Sequence, residues 1–291
     1  MSERSKYTPG TPSWVDVAAP DPDAAANFYS AIFGWDVAEA GDPEETGGYR
    51  MASLRGKTVA GIAPLMGEGQ PPSWTTYITT DDADATAEKV KQAGGTVFAE
   101  PFDVMEAGRM AVFADPTGAV FAVWQPNQHP GSQLVNEAGT FGWNELNTRD
   151  PEAAREFYAA VFGWRGEKFD MDGGPDYVIW HTDDDESETG IGGMIDMRSG
   201  DMPDEIPPHW LVYFTVDDTD ATVDQVKENG GNVAFGPTEI PNVGRFAAVT
   251  AMPRKRPACT CGNTATTLEK MSEVWPPIRS EIAGASPLYG T

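Results

Sequence analysis

Residues 14–35 read WVDVAAPDPDAAANFYSAIFGW, and residues 143–164 repeat the pattern as WNELNTRDPEAAREFYAAVFGW. Both copies share an Asp-Pro step, a Phe-Tyr pair and a closing Phe-Gly-Trp. A second pair of segments, 74–114 and 210–250, shares an Asp-Asp step, a Gly-Gly pair and a Gly-Arg step. Because repeated turn residues in register indicate duplication, the sequence predicts two related domains over 1–126 and 137–250, joined by a linker over 127–136.

Each half reads as two similar units, each consisting of a strand, a helix and further strands. In the first unit Asp21 suits a helix N-cap, Pro22 the first helical position, and Gly34 a left-handed C-cap. Strands are expected at 13–18, 48–54 and 57–64, and the next unit repeats the scheme with a strand at 73–80, a helix at about 83–93 and strands at 96–100, 109–114 and 119–124. The fold class predicted is α+β: tandem βαβββ modules forming two cupped, curled mixed β-sheets with helices on the outside.

Composition limits the partners of the chain. Its formal net charge of −25 disfavours nucleic acid and anionic membranes, because like charges repel. No apolar run approaches the roughly 20 residues of a spanning helix, and the polar residues 1–10 do not resemble a usual secretory signal. The only cysteines, Cys259 and Cys261, offer no disulfide framework. We therefore expect a cytoplasmic monomer or homodimer whose partner is a small molecule.

The Asp-Pro helix start, the Phe-Tyr…Phe-Gly-Trp spacing and the Asp-Pro-x-Gly turn at 115–118 resemble the vicinal-oxygen-chelate superfamily, which includes glyoxalases, bleomycin-resistance proteins and dioxygenases. The resemblance covers about 10–125 and 137–250. A narrower similarity, carried by residues 11–17, 107–110 and 135–145, is to two-domain glyoxalase-like proteins of actinobacteria, among them a mycobacterial culture-filtrate antigen and proteins labelled hydroxylases. These motifs are diagnostic of the fold and weak evidence for any one reaction.

The resemblance implies a divalent ion in the metal enzymes of the superfamily, held by His on the first strand, His or Gln on the fifth and Glu on the last. Those positions fall here on Trp14 and Trp143, on Thr75 and Leu211, and on Ala122. An indole only donates hydrogen bonds, Leu and Ala carry no donor atoms for a metal, and Thr is a poor ligand. The sequence therefore predicts that the usual metal site is absent, and we expect no cofactor.

Strand alternation places other side chains on the same face as these positions. Asp16 and Glu145 are candidate general bases, because burial beside an indole disfavours the charged carboxylate. Alternatively, Trp14 and Trp143 fill a solid core and the carboxylates satisfy backbone donors. The remaining candidate ligand-binding residues are Tyr77, Arg109, Trp124, Asn147, Tyr213 and Arg245.

The basic side chains leave alternatives open. Arg109 and Arg245 each follow a glycine and could anchor an anionic group, or each could pair with a neighbouring carboxylate. Of the three histidines, only His209 is expected near the cleft, while His129 falls in the linker and His181 near a strand end. A satisfied or surface role is expected for all three. The acidic run at 183–186 predicts a solvated loop.

The repeat fails after Thr250, where a second Asp-Pro-x-Gly turn and a closing strand are expected but the sequence continues AMPRKRPACTC. The last 41 residues carry a net charge of +2, which leaves −27 for residues 1–250. One hypothesis is that a reading-frame change replaced the last strand of the second half, and the alternative is a natural tail. On the first hypothesis that strand is missing and residues 262–291 are poorly ordered.

Three functions remain open from the sequence. The first is a metal-independent binding protein with an aromatic-lined cup for an apolar or aromatic metabolite. The second is an enzyme, a glyoxalase-like lyase, dioxygenase or hydroxylase, that uses a carboxylate base or a non-standard metal site. The third is an interaction protein whose cups are vestigial. Aromatic residues at the lost ligand positions favour the first.

Overall fold

The computed structural model describes residues 3–67, 69–171, 174–182, 190–200, 202–240 and 243–251, together with the backbone of 264–269. The first half contains the strands β1 (Pro12–Ala19), β2 (Asp36–Glu39), β3 (Arg50–Leu54), β4 (Lys57–Pro64), β5 (Ser73–Thr79), β6 (Thr96–Val104), β7 (Gly108–Ala114) and β8 (Val120–Pro126). Its helices are α1 (Pro22–Phe33), α2 (Pro43–Thr46) and α3 (Ala83–Gln92). Of these, the short helix α2 was not expected from the sequence.

The second half repeats this order. Its strands are β9 (Phe141–Thr148), β10 (Arg165–Phe169), β11 (Tyr177–His181), β12 (Gly192–Asp196), β13 (His209–Thr215), β14 (Asn232–Ile240), β15 (Gly244–Thr250) and β16 (Thr264–Glu269). Its helices are α4 (Pro151–Phe162) and α5 (Thr219–Glu228). The two halves therefore contain matching strands in matching order.

Each half forms one mixed eight-stranded sheet. The strand orders are β2-β3-β4-β1-β5-β8-β7-β6 and β10-β11-β12-β9-β13-β16-β15-β14. In each sheet two pairs are parallel, β1 with β4 and β5 with β8 in the first, β9 with β12 and β13 with β16 in the second. The predicted α+β class with two mixed sheets is confirmed.

The repeated Asp-Pro and Phe-Gly-Trp motifs set the ends of α1 and α4. The Asp21 carboxylate accepts a hydrogen bond from the Ala24 N–H at 3.0 Å, which caps the start of α1. Gly34 ends that helix with a φ of 69°, in the left-handed region that glycine adopts without strain. Asp150 and Gly163 do the same for α4. Among the described helices, none is long and apolar enough to cross a membrane.

The helices lie outside each cup but inside the molecule, between the two halves. Val15 and Val17 on β1 pack in a core with Phe28 and Tyr29 of α1, and that core continues into α5, β13 and β15 of the second half. The helices α1 and α5 are in contact, as are α3 and α4. The other face of each sheet is therefore left for the candidate site.

The second glycine of each repeated Gly-Gly pair lets the halves approach. A Cβ atom on Gly95 would lie 2.8 Å from the ring of Phe157, and one on Gly231 would lie 3.0 Å from the ring of Phe28. Real Cβ atoms rarely come so close to an aromatic ring. The Gly-Gly and Phe-Tyr motifs of opposite halves are thus packed against each other.

The second sheet contains its closing strand. The backbone of β16 pairs in parallel with β13 and antiparallel with β15, as β8 does with β5 and β7 in the first half. This pairing contradicts the prediction that the second half lacks that strand. A strand can form there without the repeated sequence, because its ladder is made of backbone hydrogen bonds. The hypothesis of a reading-frame change stays a prediction, and 252–263 and 270–291 lie outside the described residues.

Candidate functional site

Aromatic side chains from three strands meet on the face of the first sheet that points away from the helices. Trp14 on β1, Tyr77 on β5 and Trp124 on β8 surround Ala122, and each is less than a tenth exposed. We call these four residues the first aromatic cluster. The structure thus brings together the first-half aromatic residues that strand alternation selects.

A carboxyl group lies beside this cluster, held by two tyrosines. The Tyr77 hydroxyl donates to Asp16 Oδ2 at 2.7 Å, and the Tyr49 hydroxyl donates to the same oxygen at 3.1 Å. The Trp14 Nε1–H donates to the Tyr49 hydroxyl at 3.0 Å. These residues form a continuous Trp–Tyr–carboxyl–Tyr chain, which we call the first network.

The second half builds the same chain. The Trp143 Nε1–H donates to the Tyr177 hydroxyl at 2.9 Å, and the Tyr213 hydroxyl donates to Glu145 Oε1 at 2.9 Å. Tyr177 also hydrogen-bonds Glu145, and the Asn147 amide donates to Glu145 Oε1 at 3.3 Å. We call Trp143, Tyr177, Glu145 and Tyr213 the second network.

Tyr49 and Tyr177 were missed by the sequence reasoning, although a signal was present. A tyrosine recurs shortly after the Phe-Gly-Trp motif in both halves, 14 residues after Trp35 and 13 residues after Trp164. The change in spacing hides the match, because one residue fewer separates the motif from the tyrosine in the second half. An alignment of the two halves that allows one gap finds it.

Each network depends on a glycine in the neighbouring strand. Gly61 on β4 pairs with Asp16, and Gly193 on β12 pairs with Glu145. A Cβ atom on Gly61 would lie 1.8 Å from the Tyr49 hydroxyl oxygen, and one on Gly193 would lie 1.9 Å from that of Tyr177. Only glycine therefore leaves room for the tyrosine hydroxyl to reach the carboxyl group.

Burial governs the protonation of both networks. It raises the pKa of Asp16 to about 6, against the lowering effect of hydrogen bonds from Tyr77, Tyr49 and Thr75. It also raises the pKa of Glu145, opposed by hydrogen bonds from its tyrosine and Asn147 neighbours. The pKa values of the tyrosines lie well above their usual value, because burial and the adjacent carboxylate both disfavour a phenolate. Each network therefore combines a carboxyl that resists ionisation with hydroxyls that stay protonated donors.

The residues present do not fit the divalent ion that the resemblance implies. At the first-strand positions, the N–H groups of Trp14 and Trp143 are donated to tyrosines, and an indole has no lone pair for a metal. Ala122, at the last-strand position, is fully buried and carries no ligand atom. Among the described residues, no three His, Cys, Asp or Glu side chains cluster as a metal site would require.

His129 corrects the prediction that His209 alone lies near the cleft. Its ring packs edge-on against Trp14 with centroids 4.5 Å apart, and it lies 5.7 Å from the ring of Trp124. The Trp124 indole N–H donates to the His129 carbonyl at 2.8 Å, and the His129 N–H donates to the Ala107 carbonyl at 3.0 Å. The linker thus covers the first aromatic cluster, a placement set by long-range hydrogen bonds that the sequence does not reveal.

The other two histidines lie in the second sheet. His209 begins β13, and it pairs across the strands with Asn147. His181 ends β11, where it is buried and its Nε2 lies 3.8 Å from Glu167. The Nε2 atoms of His129 and His209 are buried and have no hydrogen-bond partner among the described residues, so the expected satisfied or surface role holds for neither.

Arg109 and Arg245 pair with carboxylates, the alternative that the sequence left open. Arg109 donates to both oxygens of Asp84 at 2.8 and 3.0 Å and to Asp103 at 3.0 Å. Arg245 donates to both oxygens of Asp220 at 2.7 and 2.8 Å. Each of these ion pairs links a strand to the first turn of a helix. Because both guanidinium groups are engaged in this way, we do not include them in the site proposed below. The acidic run at 183–186 and both cysteines lie outside the described residues.

A separate cleft of about 480 Å³ opens beside α4 in the second half. Charged residues of both signs line it, among them Arg155, Lys168 and Asp196. Of the second network, its described lining includes Tyr177 but neither Trp143 nor Glu145. It therefore adjoins the second network at Tyr177 without reaching Trp143 or Glu145.

The chain matches the family model of the Glyoxalase/Bleomycin resistance protein/Dioxygenase superfamily over residues 11–123 and again over 140–254. The chain belongs to this superfamily. The first match runs from β1 into β8, and the second contains β9 to β15 and ends before β16.

Relatives in actinobacteria match along most of the chain. "Putative glyoxylase CFP32" of Mycobacterium tuberculosis is 44% identical over 253 residues, covering 86% of this chain and 94% of that protein. Anthracycline biosynthesis protein DnrV of Streptomyces peucetius is 39% identical over 251 residues, covering 81% of this chain and 88% of that protein.

Solved structures with little sequence identity share the fold. The Mn(II)-bound glyoxalase from Novosphingobium aromaticivorans has a TM-score of 0.54 at 16% identity, covering 86% of this chain and 79% of its own. The 2,3-dioxygenase LapB from Pseudomonas sp. KL28 has a TM-score of 0.55 at 13% identity, covering 98% and 96%. At these identities the likeness supports the fold and not a reaction.

Proposed function

We propose that this protein binds a small aromatic or apolar compound against its Trp–Tyr–carboxyl–Tyr networks, without a divalent ion at the superfamily's usual positions. The repeated network is the observation that carries the proposal. In both halves an indole stands at the first-strand ligand position and donates its N–H to a tyrosine. Aromatic walls with a few fixed polar groups are what small-molecule sites usually provide.

Two further features support an aromatic and uncharged or cationic ligand. The relative DnrV is named for anthracycline biosynthesis, and anthracyclines are fused-ring aromatic compounds. The net charge of −25 repels anionic ligands at long range. A neutral aromatic body with polar substituents suits both features.

Calorimetric titration of chelator-treated protein tests the proposal. The probes are 2-naphthol and an anthracycline, doxorubicin, each added before and after supplying Mn²⁺, Fe²⁺ or Zn²⁺. We expect saturable binding without added metal, with no gain when an ion is present. Binding that appears only with an ion, or a stoichiometric ion in protein purified without chelator, would contradict the proposal.

A second candidate function is proton transfer by one of the network carboxyls. The raised pKa of Asp16, about 6, favours it, because a base that titrates near neutral pH can both take and return a proton. Exchange of the methyl protons of 2-acetylnaphthalene in D₂O, followed by NMR, tests this function. Exchange that survives in Asp16→Asn and Glu145→Gln proteins would exclude both carboxyls as the base.

A further inference from the structure

We propose that the ligand site lies in the second half and that His209 Nε2 accepts a hydrogen bond from a hydroxyl group of an aromatic ligand. The ligand class is thus a phenol. This inference rests on the proposed function and deepens it, because it assigns the site to one half and one recognition atom.

The first half is covered by its own chain. The His129 ring lies against Trp14 and Trp124, and the backbone of the same residue is hydrogen-bonded on both sides. Trp14 is 3% exposed and Trp124 is 5% exposed. The linker therefore covers Trp14 and Trp124, the two tryptophans of the first aromatic cluster, and leaves little of them for a ligand.

Within the described residues, the aromatic rings of the second network are more exposed than those of the first aromatic cluster. Trp143 and Tyr213 are both partly exposed, whereas their counterparts Trp14 and Tyr77 are buried. Glu145 beneath them remains buried, with 6% of its surface exposed. A flat ligand can therefore contact the second aromatic set while the carboxyl stays shielded.

One cross-strand pair distinguishes the two halves. In the first half Ala18 pairs with Ser73, and in the second half the same register position holds Asn147 and His209. Strand alternation places His209 on the same face as Tyr213, whose hydroxyl reaches Glu145. The second half thus adds an amide and an imidazole to a network that both halves share.

The imidazole of His209 can accept a hydrogen bond through Nε2. Its Nδ1 lies 2.9 Å from the Pro207 carbonyl oxygen, so Nδ1 carries the proton and Nε2 has the free lone pair. Nε2 is buried, and within the described part of the chain it has no hydrogen-bond partner. Burial lowers the pKa of His209 to about 4, which keeps the ring neutral at physiological pH.

An unmet buried acceptor favours a ligand that donates. Leaving such an atom without a partner costs free energy that a ligand hydroxyl can recover. A phenol supplies that O–H together with an aromatic ring for Trp143 and Tyr213. An aromatic ether of the same shape has no proton to give and leaves Nε2 unpaired.

The test compares 2-naphthol with 2-methoxynaphthalene by calorimetry at pH 7.4. We expect wild-type protein to prefer the naphthol roughly tenfold, the effect of one hydrogen bond to an otherwise unpaired acceptor. His209→Phe should bring the ratio to about one, because phenylalanine fills the space without a lone pair. His209→Gln should keep part of the preference, and circular dichroism checks that each variant is folded.

His129→Phe is the matched control, since it alters the histidine beside the first network. Its preference for the naphthol should equal that of wild type. An unchanged ratio in both His209 variants, or a ratio lost in His129→Phe, would overturn the inference while leaving the proposed function intact. Failure of wild-type protein to bind either compound would overturn the inference and the proposed function together.

Discussion

Replacing Asp16 by asparagine should stabilise the protein, and the gain should grow with pH. Asp16 is 6% exposed, and burial raises its pKa from 3.8 to about 6. The folded state therefore holds the proton more tightly than the unfolded state. The stability that this proton contributes is fully present below pH 3.8 and is lost as the pH rises through 6.

The magnitude follows from those two pKa values. At 1.36 kcal/mol per pKa unit, the interval from 3.8 to about 6 corresponds to about 3 kcal/mol at pH 8. At pH 4.5 the same relation leaves a penalty of about 1 kcal/mol. Asn cannot ionise, so the variant should gain about 2 kcal/mol more at pH 8 than at pH 4.5.

Asparagine can keep the hydrogen bonds of the first network. Both tyrosine hydroxyls donate to a single oxygen, Oδ2, and the amide carbonyl of asparagine can accept both in its place. Thr75 also hydrogen-bonds the Asp16 carboxyl, and its hydroxyl can accept a hydrogen bond from an amide nitrogen. The substitution thus removes a charge without leaving a donor unpaired.

Urea denaturation of both proteins at the two pH values measures the effect. The difference between the two gains is the informative quantity, because contributions of the amide that do not depend on pH cancel. Asp21→Asn serves as the control, since Asp21 is an exposed helix cap and asparagine caps equally well. An equal change in stability at both pH values, or a smaller gain at pH 8 than at pH 4.5, would refute the assigned protonation of Asp16.

Three other substitutions test the remaining parts of the structure. Glu145→Gln should also stabilise the protein more at pH 8 than at pH 4.5, because burial raises the pKa of Glu145, and the same denaturation series measures it. Gly193→Ala should displace the Tyr177 hydroxyl, and should therefore lower the free energy of unfolding in urea by about 1–3 kcal/mol and weaken 2-naphthol binding. Gly67→Ala is the control: a Cβ atom there meets nothing within 4 Å, so neither stability nor binding should change. Phe157→Ala should cost about 3–5 kcal/mol in thermal or urea unfolding, because Phe157 is 1% exposed between the halves, and a loss below about 1 kcal/mol would contradict that packing.

Local chemistry made much of the fold predictable. Asp21, Pro22 and Gly34 act through the backbone within a few residues of themselves, so their roles can be identified without tertiary information. Strand alternation likewise placed Trp14, Asp16 and Tyr77 on one face, because the period of a strand is two. Because the sequence is repeated, the same roles could be predicted for the matching residues of the second half.

Features set by contacts between distant segments could not be predicted in the same way. Tyr49 reaches Asp16 only because β4 places Gly61 beside it, and that register is a property of the sheet. His129 lies over the first aromatic cluster because its backbone bonds to Ala107 and Trp124. The β16 backbone joins the sheet where the sequence repeat had ended, since ladder hydrogen bonds depend little on side-chain identity.

The two halves together indicate why the networks contain acids at all. A neutral amide would avoid the cost of burying a carboxyl, yet Asp16 and Glu145 occupy matching places despite their different lengths. Stability given up at one position is typical of a functional site, where a group is kept for what it binds or transfers. Glu145 lies beside Asn147 in a network whose aromatic rings are partly exposed, whereas Asp16 lies in a network whose Trp14 is covered by His129. If the acid serves a ligand, the exposure of the surrounding rings favours Glu145 over Asp16.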